Sequence, residues 1–600
     1  MAQLKEAVAV EEQLDLHPPR QRVDLVHAAR LGLIGGFIAV LVGAIGMLEA
    51  FQSREVVQPF LTFSTVSLLV IAMLLGYLAG RRPPPLEGEP PAQVGPGNLL
   101  AGGTAGATAG LVLGVFAALA QAVNLRPVFP NVTPGMVRLL TFDQGVGAGL
   151  AILFMGGLVV GALGAGLAIA PARWQRALSN ALLWVLVAGL FEDFIGQILT
   201  GFKLRSVDRL VFNPRGGLSL LGTVILGVLV FGLYWSLDPR RAAARTRLLE
   251  APEERRRNLM LGGLAALVVA LAILPSFLGP FVAEVLDLVG IFLLMGLGLN
   301  IVVGYAGLLD LGYVAFFAVG AYTTAILTSP LSPRWSPELV FWAAIPFVVL
   351  AAALAGIIVG TPVLRMRGDY LAIVTLGFGE IARLLFLSDW LRPFVNAARG
   401  ITRIPNIPVG TIQLNTAPQL FYPIAAFSLL AAYVSWALYR SRIGRAWMAM
   451  REDEPVAEVM GINIVTTKLS AFIMGAILAG FGGALFAAKI GSVFPHSFNI
   501  LVSITVLVLI IVGGMGNIPG VVVGSLLLVG IPNILREFEE YRLLMYGALL
   551  IFMMLYKPEG FLPSRQRARE LHQDEALQDA WILEEQEQRV REQPATMPAD

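Results

Sequence analysis

LFYPIAAFSLLAAYVSWALY (Leu420–Tyr439) is followed at once by RSRIGRAWMAMREDEPVAEVMG (Arg440–Gly461), and this junction decides the fold class. The first stretch is mainly apolar and has the length of about 20 residues that crosses a bilayer as a helix. The second stretch carries four arginines and then three consecutive acidic residues, which lipid cannot solvate. The junction therefore predicts a membrane span that ends in water at Arg440–Gly461, which we name the charged segment.

The charged segment is long enough for about six helical turns. Pro455 suits the first turn of a helix, and Gly461 suits a turn at its end. An ordinary basic loop on the cytoplasmic side would explain the arginines alone. The order of the residues, a basic half followed by an acidic cluster, a proline and a glycine, favours a short docking helix for a cytosolic partner.

Composition places the whole chain in the membrane. Of its 600 residues, 56% are hydrophobic and 14% are charged, whereas about a quarter of a soluble protein is charged. We therefore predict an all-α, polytopic integral membrane protein. The net charge of +2 gives no reason to expect nucleic-acid binding, and four scattered histidines with no cysteine predict no metal site.

Apolar runs predict about 16 transmembrane helices, six in an N-terminal membrane domain of unknown role (1–238) and ten in a second domain (258–562). An Arg-rich cytoplasmic linker (239–257) joins the domains, and a charged cytoplasmic tail (563–600) follows. The predicted spans are Leu31–Ala50, Phe60–Gly80, Leu99–Val123, Val146–Ala170, Leu178–Leu199, Leu218–Leu237, Leu259–Leu278, Phe281–Val303, Leu308–Thr328, Leu339–Val359, Asp369–Leu387, Leu420–Tyr439, Leu469–Ala488, Ile500–Gly514, Val521–Leu535 and Leu543–Leu555.

The N-terminus has no apolar signal-peptide core, so we expect it to remain in the cytoplasm. An even number of spans then places the C-terminus there too, together with most of the Lys- and Arg-rich loops. Two loops, Lys203–Arg215 and Arg392–Arg403, disagree with this orientation. In the third span, glycines in steps of four predict a close approach by a neighbouring helix. These are Gly102, Gly106, Gly110 and Gly114.

The sequence predicts no catalytic site. It has no G-x-x-x-x-G-K-[ST] phosphate loop, no G-x-S-x-G and no H-E-x-x-H. Carboxylates at Glu284, Asp287, Asp310 and Glu380 fall in or near spans without forming an acid–base pair. Transport is therefore the expected activity.

Four further stretches identify a family. They are GLGLNIVVGYAGLLDLGYVAFFAVGAYTTAILT (Gly296–Thr328), RMRGDYLAIVTLGFGEIARLLF (Arg365–Phe386), SITVLVLIIVGGMGNIPGVVVGSLLL (Ser503–Leu528) and YKPEGFL (Tyr556–Leu562). Together with the charged segment they resemble the M-type permease subunit of branched-chain amino-acid ABC importers. The resemblance covers about residues 258–564.

This resemblance implies an importer in a prokaryotic plasma (inner) membrane. Its partners would be two cytosolic ABC ATPase subunits, a second related permease subunit and an extracytoplasmic substrate-binding protein, with membrane lipid around it. ATP would be bound by the partner subunits, and this chain would bind no cofactor. The cargo would be a branched-chain or similar amino acid, while urea, short amides and sugars remain alternatives within the family. An ion- or proton-coupled secondary transporter is an alternative outside it.

Two groups of site residues follow from the resemblance. Coupling to the ATPase is expected from residues of the charged segment, namely Arg445, Arg451, Glu452, Asp453, Glu454, Glu458 and Gly461. The substrate path is expected along the polar residues of the strongest motif, namely Asn300, Tyr305, Asp310, Tyr313 and Tyr322. Neighbouring glycines at 304, 307 and 312 are expected to break the helix there. The alternative is that Asn300 and Asp310 only cap broken helices or join them by hydrogen bonds.

Overall fold

The structure is a computed structural model that describes residues 25–81, 96–213, 216–249, 279–363, 366, 368–410, 412–535 and 541–563. The chain divides into two compact units, Met1–Ala265 and Ala266–Asp600. The predicted span Leu259–Leu278, the second half of the predicted linker and residues 564–600 of the tail lie outside the described residues.

The first unit is built from helices of mainly apolar sequence. They are α1 (Leu25–Ala44), α2 (Met47–Ala50), α3 (Phe63–Gly80), α4 (Pro96–Ala122), α5 (Pro134–Leu140), α6 (Val146–Ile169), α7 (Ala172–Leu190), α8 (Glu192–Gly201), α9 (Arg205–Val211) and α10 (Leu220–Leu249). Helix α10 continues beyond Asp238 into the predicted linker.

The predicted glycine ridge on α4 is confirmed. A Cβ added at Gly106 or Gly102 would collide with the backbone of α6, at Gly157 and Gly161 respectively. Glycines on both helices thus let the two backbones touch, which a larger side chain would prevent.

The second unit is longer and begins, within the described residues, at Gly279. Its helices are α11 (Gly279–Tyr305), α12 (Val314–Thr328), α13 (Phe341–Val363), α14 (Asp369–Leu387), α15 (Arg392–Val395), α16 (Ala417–Arg440), α17 (Arg442–Glu452), α18 (Glu454–Val459), α19 (Ile464–Ile490), α20 (Ile500–Gly513), α21 (Ile518–Ser525), α22 (Ile531–Ile534) and α23 (Arg542–Tyr556). Short 3₁₀ turns lie at Phe51–Ser53, Ala397–Arg399 and Pro495–Ser497.

The strands that the structure describes are very short and form three two-stranded antiparallel sheets. They are β1 (Glu55–Val57), β2 (Leu61–Thr62), β3 (Ile401–Thr402), β4 (Ile407–Val409), β5 (Ile412–Leu414) and β6 (Ser492–Val493). β1 pairs with β2, β3 with β6 and β4 with β5. They connect helices rather than build a layer, so the predicted all-α polytopic class is confirmed.

Eleven of the described helices are long and apolar enough to cross a membrane, and α7 with α8 makes a twelfth candidate. Three of the predicted spans correspond to shorter apolar helices, at Val314–Thr328, Ile518–Ile534 and Arg542–Tyr556. The exact number of sixteen stays a prediction. The predicted span Leu178–Leu199 falls on α7 and α8, and the chain bends by 78° between them.

Helices α11 and α19 form the centre of the second unit, since 72% of the 18-residue apolar stretch that would cross the membrane is buried in each. Both α12 and α13 pack on α19. By contrast, α13 and α14 bury a third or less of the corresponding stretch. They expose large apolar side chains, as helices do when they face lipid.

Candidate functional site

The charged segment folds as two helices, α17 and α18, and not as one continuous helix of six turns. Asp453 separates the two helices, since its backbone is extended (φ −154°, ψ 110°). Its Oδ1 caps α18 by accepting the Val456 N–H at 2.9 Å. Pro455 follows in the first turn of α18, where the missing N–H of proline costs no helical hydrogen bond. Pro455 therefore lies in the first turn of a short helix, as predicted.

Gly461 ends α18 as predicted. Its φ is +86°, in the left-handed region that favours glycine, and the Ile462 N–H donates back to the Ala457 carbonyl at 3.1 Å. Asn463 then caps α19 by accepting the Thr466 N–H at 3.1 Å. The short helix, its turn and the next span are therefore fixed by neighbouring residues in the sequence.

Two side chains attach the charged segment to α19. Trp447 is fully buried, and its Nε1–H lies 3.0 Å from both the Thr467 carbonyl and Ser470 Oγ. Glu454 Oε1 lies 2.6 Å from Lys468 Nζ, and the Lys468 side chain is 2% exposed. Sequence analysis missed Trp447 and Lys468. A lone tryptophan within a charged segment was the available signal.

The predicted coupling residues separate into two sets. Arg451 and Glu454 are partly buried and make contacts within the chain, Arg451 through a 2.7 Å hydrogen bond to the Gly304 carbonyl. The others lie on the exposed surface of α17, α18 and the turn that follows. They are Arg445, Glu452, Asp453, Glu458 and Gly461.

The exposed tip of α18 also carries apolar side chains that sequence analysis did not single out. Val456 is 58% exposed, Val459 is 88% exposed and Met460 is 77% exposed. Acidic side chains at Glu452 and Glu458 are exposed around them. An apolar tip framed by charges is suited to burial against another protein rather than in lipid.

The predicted helix break after Gly304 is confirmed. The last turn of α11, Asn300–Tyr305, is π-helical, and the chain is irregular until α12 begins at Val314. Gly307 has a φ of +72°. The expected helix start near Leu308 was wrong, because this left-handed glycine and the capping of Gly312 N–H by Asp310 Oδ1 (2.9 Å) delay it.

Asn300 and Asp310 hold this break together. Asn300 Oδ1 accepts the Gly516 N–H at 2.8 Å, which links α11 to the loop before α21. Among the described residues, Asn300 Nδ2 and Asp310 Oδ2 are buried without a hydrogen-bond partner. Both residues thus make structural hydrogen bonds and also present further polar atoms to the buried interior.

The three predicted path tyrosines are buried in different surroundings. Tyr313 donates its hydroxyl to the Gly475 carbonyl at 2.7 Å, and the Tyr305 hydroxyl lies 3.3 Å from Ser435 Oγ. The Tyr322 ring stacks on Phe386 with 4.3 Å between centroids. Its hydroxyl has no hydrogen-bond partner within the part of the chain that the structure describes.

The first unit holds a cavity of about 630 Å³ lined by residues 120–145. Arg126, Arg138 and Asp143 contribute its charged lining, and none of the predicted path residues lines it. Across the described ranges, no group of three or more His, Cys, Asp or Glu side chains is arranged to hold a metal ion.

These features define a multi-pass membrane protein with a glycine-broken helix in its core, which is how membrane transporters are commonly built. A family model described as the permease component of branched-chain amino acid transport systems matches residues 281–554. The LivM permease of the high-affinity branched-chain amino acid transport system of Salmonella typhimurium is 38% identical over 419 residues, 66% of this chain and 95% of that protein.

Two further relatives have the same description. The LivM protein of Escherichia coli K12 is 39% identical over 323 residues, which cover 50% of this chain and 74% of that protein. The BraD protein of Pseudomonas aeruginosa is 25% identical over 291 residues, 45% of this chain and 91% of that protein. No solved structure matches this chain. The chain therefore belongs to the family of branched-chain amino acid transport permeases.

Proposed function

We propose that this chain is a membrane-spanning subunit of an ATP-driven importer that moves branched-chain or closely similar amino acids into the cell. It would work with a second related permease, two cytosolic ATPase subunits and an extracytoplasmic substrate-binding protein. This chain would bind no cofactor, since ATP would be bound and hydrolysed by the ATPase subunits. Family membership supports the cargo class, and the absence of a phosphate loop from the sequence supports separate ATPases.

The observation that carries the proposal is the construction of the charged segment. Its base is attached to α19 by Trp447 and by the pair of Glu454 with Lys468. Its tip exposes Val459 and Met460 among acidic side chains. A rigid base with an apolar tip is what a docking element needs, because little conformational freedom is lost when a partner covers it.

We assign the docking surface to the exposed residues of the segment. Val456, Val459 and Met460 would enter an apolar groove of an ATPase subunit, and the exposed set Arg445, Glu452, Asp453 and Glu458 would make polar contacts at its rim. Arg451 and Glu454 would act inside the permease. This assignment requires the segment to face the cytoplasm of a prokaryotic inner membrane, and the distribution of Lys and Arg predicts the same side for both termini.

The cargo would pass beside the break between α11 and α12. Buried polar atoms without described partners, on Asn300, Asp310 and Tyr322, support this location. Such atoms are costly in a membrane core unless a transported polar group or water meets them during the cycle. Tyr305 and Tyr313 would shape the path by fixing neighbouring helices through their hydroxyls.

Co-purification with the ATPase subunits tests the docking surface. Burying a valine contributes about 1.5–3 kcal/mol. The variant V459D removes that term and brings a carboxylate to the interface, so we expect at least about tenfold weaker association. V459L keeps the surface apolar and is the matched control. Association of V459D at the wild-type level would refute the assignment.

A further inference from the structure

Arg451 connects the charged segment to the broken helix. It lies in the last turn of α17, and its Nη1 donates to the Gly304 carbonyl in the π-helical end of α11 at 2.7 Å. Its aliphatic part packs on the break itself, since a Cβ added at Gly307 would lie 2.8 Å from Arg451 Cγ. One side chain thus touches both the end of α11 and the first residues after it.

The chemistry at this contact suits a cation. The last carbonyls of a helix lack N–H partners from the helix and carry its partial negative charge. In α11 the Ile301 carbonyl accepts a hydrogen bond from the Ala306 N–H at 3.1 Å, and the Val302 carbonyl accepts one from the Leu308 N–H at 2.9 Å. The Gly304 carbonyl accepts its hydrogen bond from the guanidinium of Arg451.

The same turn is linked to a second part of the core. Asn300, at the start of the π-helical turn, accepts the Gly516 N–H before α21. A Cβ at Gly304 would collide with the Asn300 side chain and approach Gly516 N to 2.8 Å. The turn is therefore packed between the charged segment and the loop before α21, and π-helical turns are frequent at functional sites.

We infer that Arg451 is a positioning residue that transmits movement of the charged segment to the broken end of α11, where the buried polar atoms of the path lie. This inference rests on the proposed function. Trp447 and Glu454 attach the segment to α19, so Arg451 adds a second helix to the part that a docked ATPase would move. When the segment shifts, the guanidinium carries the Gly304 carbonyl with it and changes the geometry of the break.

A structural cap and a transmitting contact make different predictions for function. If Arg451 only capped α11, its loss would lower the amount of folded protein and would leave each assembled complex normal. If it transmits movement, its loss leaves assembly and ATP hydrolysis in place and separates hydrolysis from transport. The ratio of cargo imported to ATP hydrolysed distinguishes the two, because it does not depend on the amount of folded protein.

The test uses the complete importer in proteoliposomes. Radiolabelled leucine and the binding protein are supplied on one side of the membrane, and the ATPase subunits face the other side. We expect R451A to retain assembly and ATP hydrolysis while the leucine-to-ATP ratio falls about tenfold, within the usual range of coupling between sites. R451K, which keeps a cation but not the forked guanidinium, should recover part of the ratio. The control R442A removes an exposed arginine at the other end of α17 and should leave the ratio unchanged.

A wild-type ratio in R451A would overturn the inference and leave the proposed function standing. Should R451A fail to assemble, R451K decides: a lowered ratio in assembled R451K supports transmission, and a normal ratio or a failure to assemble overturns it. Failure of the unmodified chain to assemble with ATPases or to import leucine would instead contradict the proposed function.

Discussion

Replacing Glu454 by Gln (E454Q) leaves the ammonium of Lys468 without its carboxylate partner. The Lys468 side chain is 2% exposed and Glu454 is 19% exposed, so water can compensate little of the loss. Breaking a buried ion pair by removing one partner costs about 3–5 kcal/mol. Because Glu454 keeps some exposure, we take the lower end, about 3 kcal/mol, as the loss in the free energy that holds α18 on α19.

Cysteine labelling can measure this loss, because the chain contains no cysteine of its own. Ala457 lies on α18 and is 3% exposed, so a cysteine there (A457C) reacts with a maleimide when α18 lifts away. A loss of about 3 kcal/mol corresponds to about a hundredfold rise in the open population. We expect E454Q in the A457C background to be labelled faster by about that factor.

The double variant E454Q/K468M is the matched control. Methionine fills the space of the lysine stem without a charge, and replacing both members of a buried pair by uncharged groups is often neutral. Labelling of the double variant should return to within a few-fold of the A457C rate. If E454Q alone leaves the rate unchanged, or if the double variant is labelled as fast as E454Q, the ion pair does not hold the segment.

Two further predictions concern packing and hydrogen bonding. G106L should strongly lower the melting temperature of the detergent-solubilised protein, because any side chain there collides with the backbone of α6. The control G156L lies in open space on α6 and should have little effect. Equal effects of the two variants on the melting temperature would contradict the glycine ridge. Y313F should lower the free energy of unfolding by about 1 kcal/mol, because it removes the hydrogen bond from the Tyr313 hydroxyl to the Gly475 carbonyl of α19. Y322F should leave the free energy of unfolding unchanged, since the Tyr322 hydroxyl has no partner among the described residues. A larger loss in Y322F than in Y313F would show that the hydrogen bonds are assigned wrongly.

Local signals in the sequence predicted local structure well. Pro455 and Gly461 mark the start and the turn of α18 because proline and glycine act on backbone angles wherever they occur. Long apolar runs predicted the spans for a similar reason, since lipid selects length and polarity alone. The glycine steps on α4 predicted a close helix contact without revealing its partner, α6.

The roles of individual charges could not be predicted in this way. Arg445 and Arg451 lie on the same helix, and nothing in the spacing shows that the first is exposed while the second reaches the Gly304 carbonyl. Glu454 is paired with Lys468, which belongs to the next span. Such assignments depend on contacts between elements that only the folded chain brings together. The exposure of Val459, on which the proposed docking surface depends, was likewise not indicated by the charge pattern.

Leucine uptake tests the central proposal most directly. Proteoliposomes would contain this chain with its second permease, the ATPase subunits and the binding protein, and would be compared with vesicles that contain this chain alone. We predict uptake that requires ATP and every subunit, with no uptake by this chain alone under a proton or sodium gradient. Gradient-driven leucine uptake by this chain alone, without the ATPase subunits, would contradict the proposal and indicate a secondary transporter.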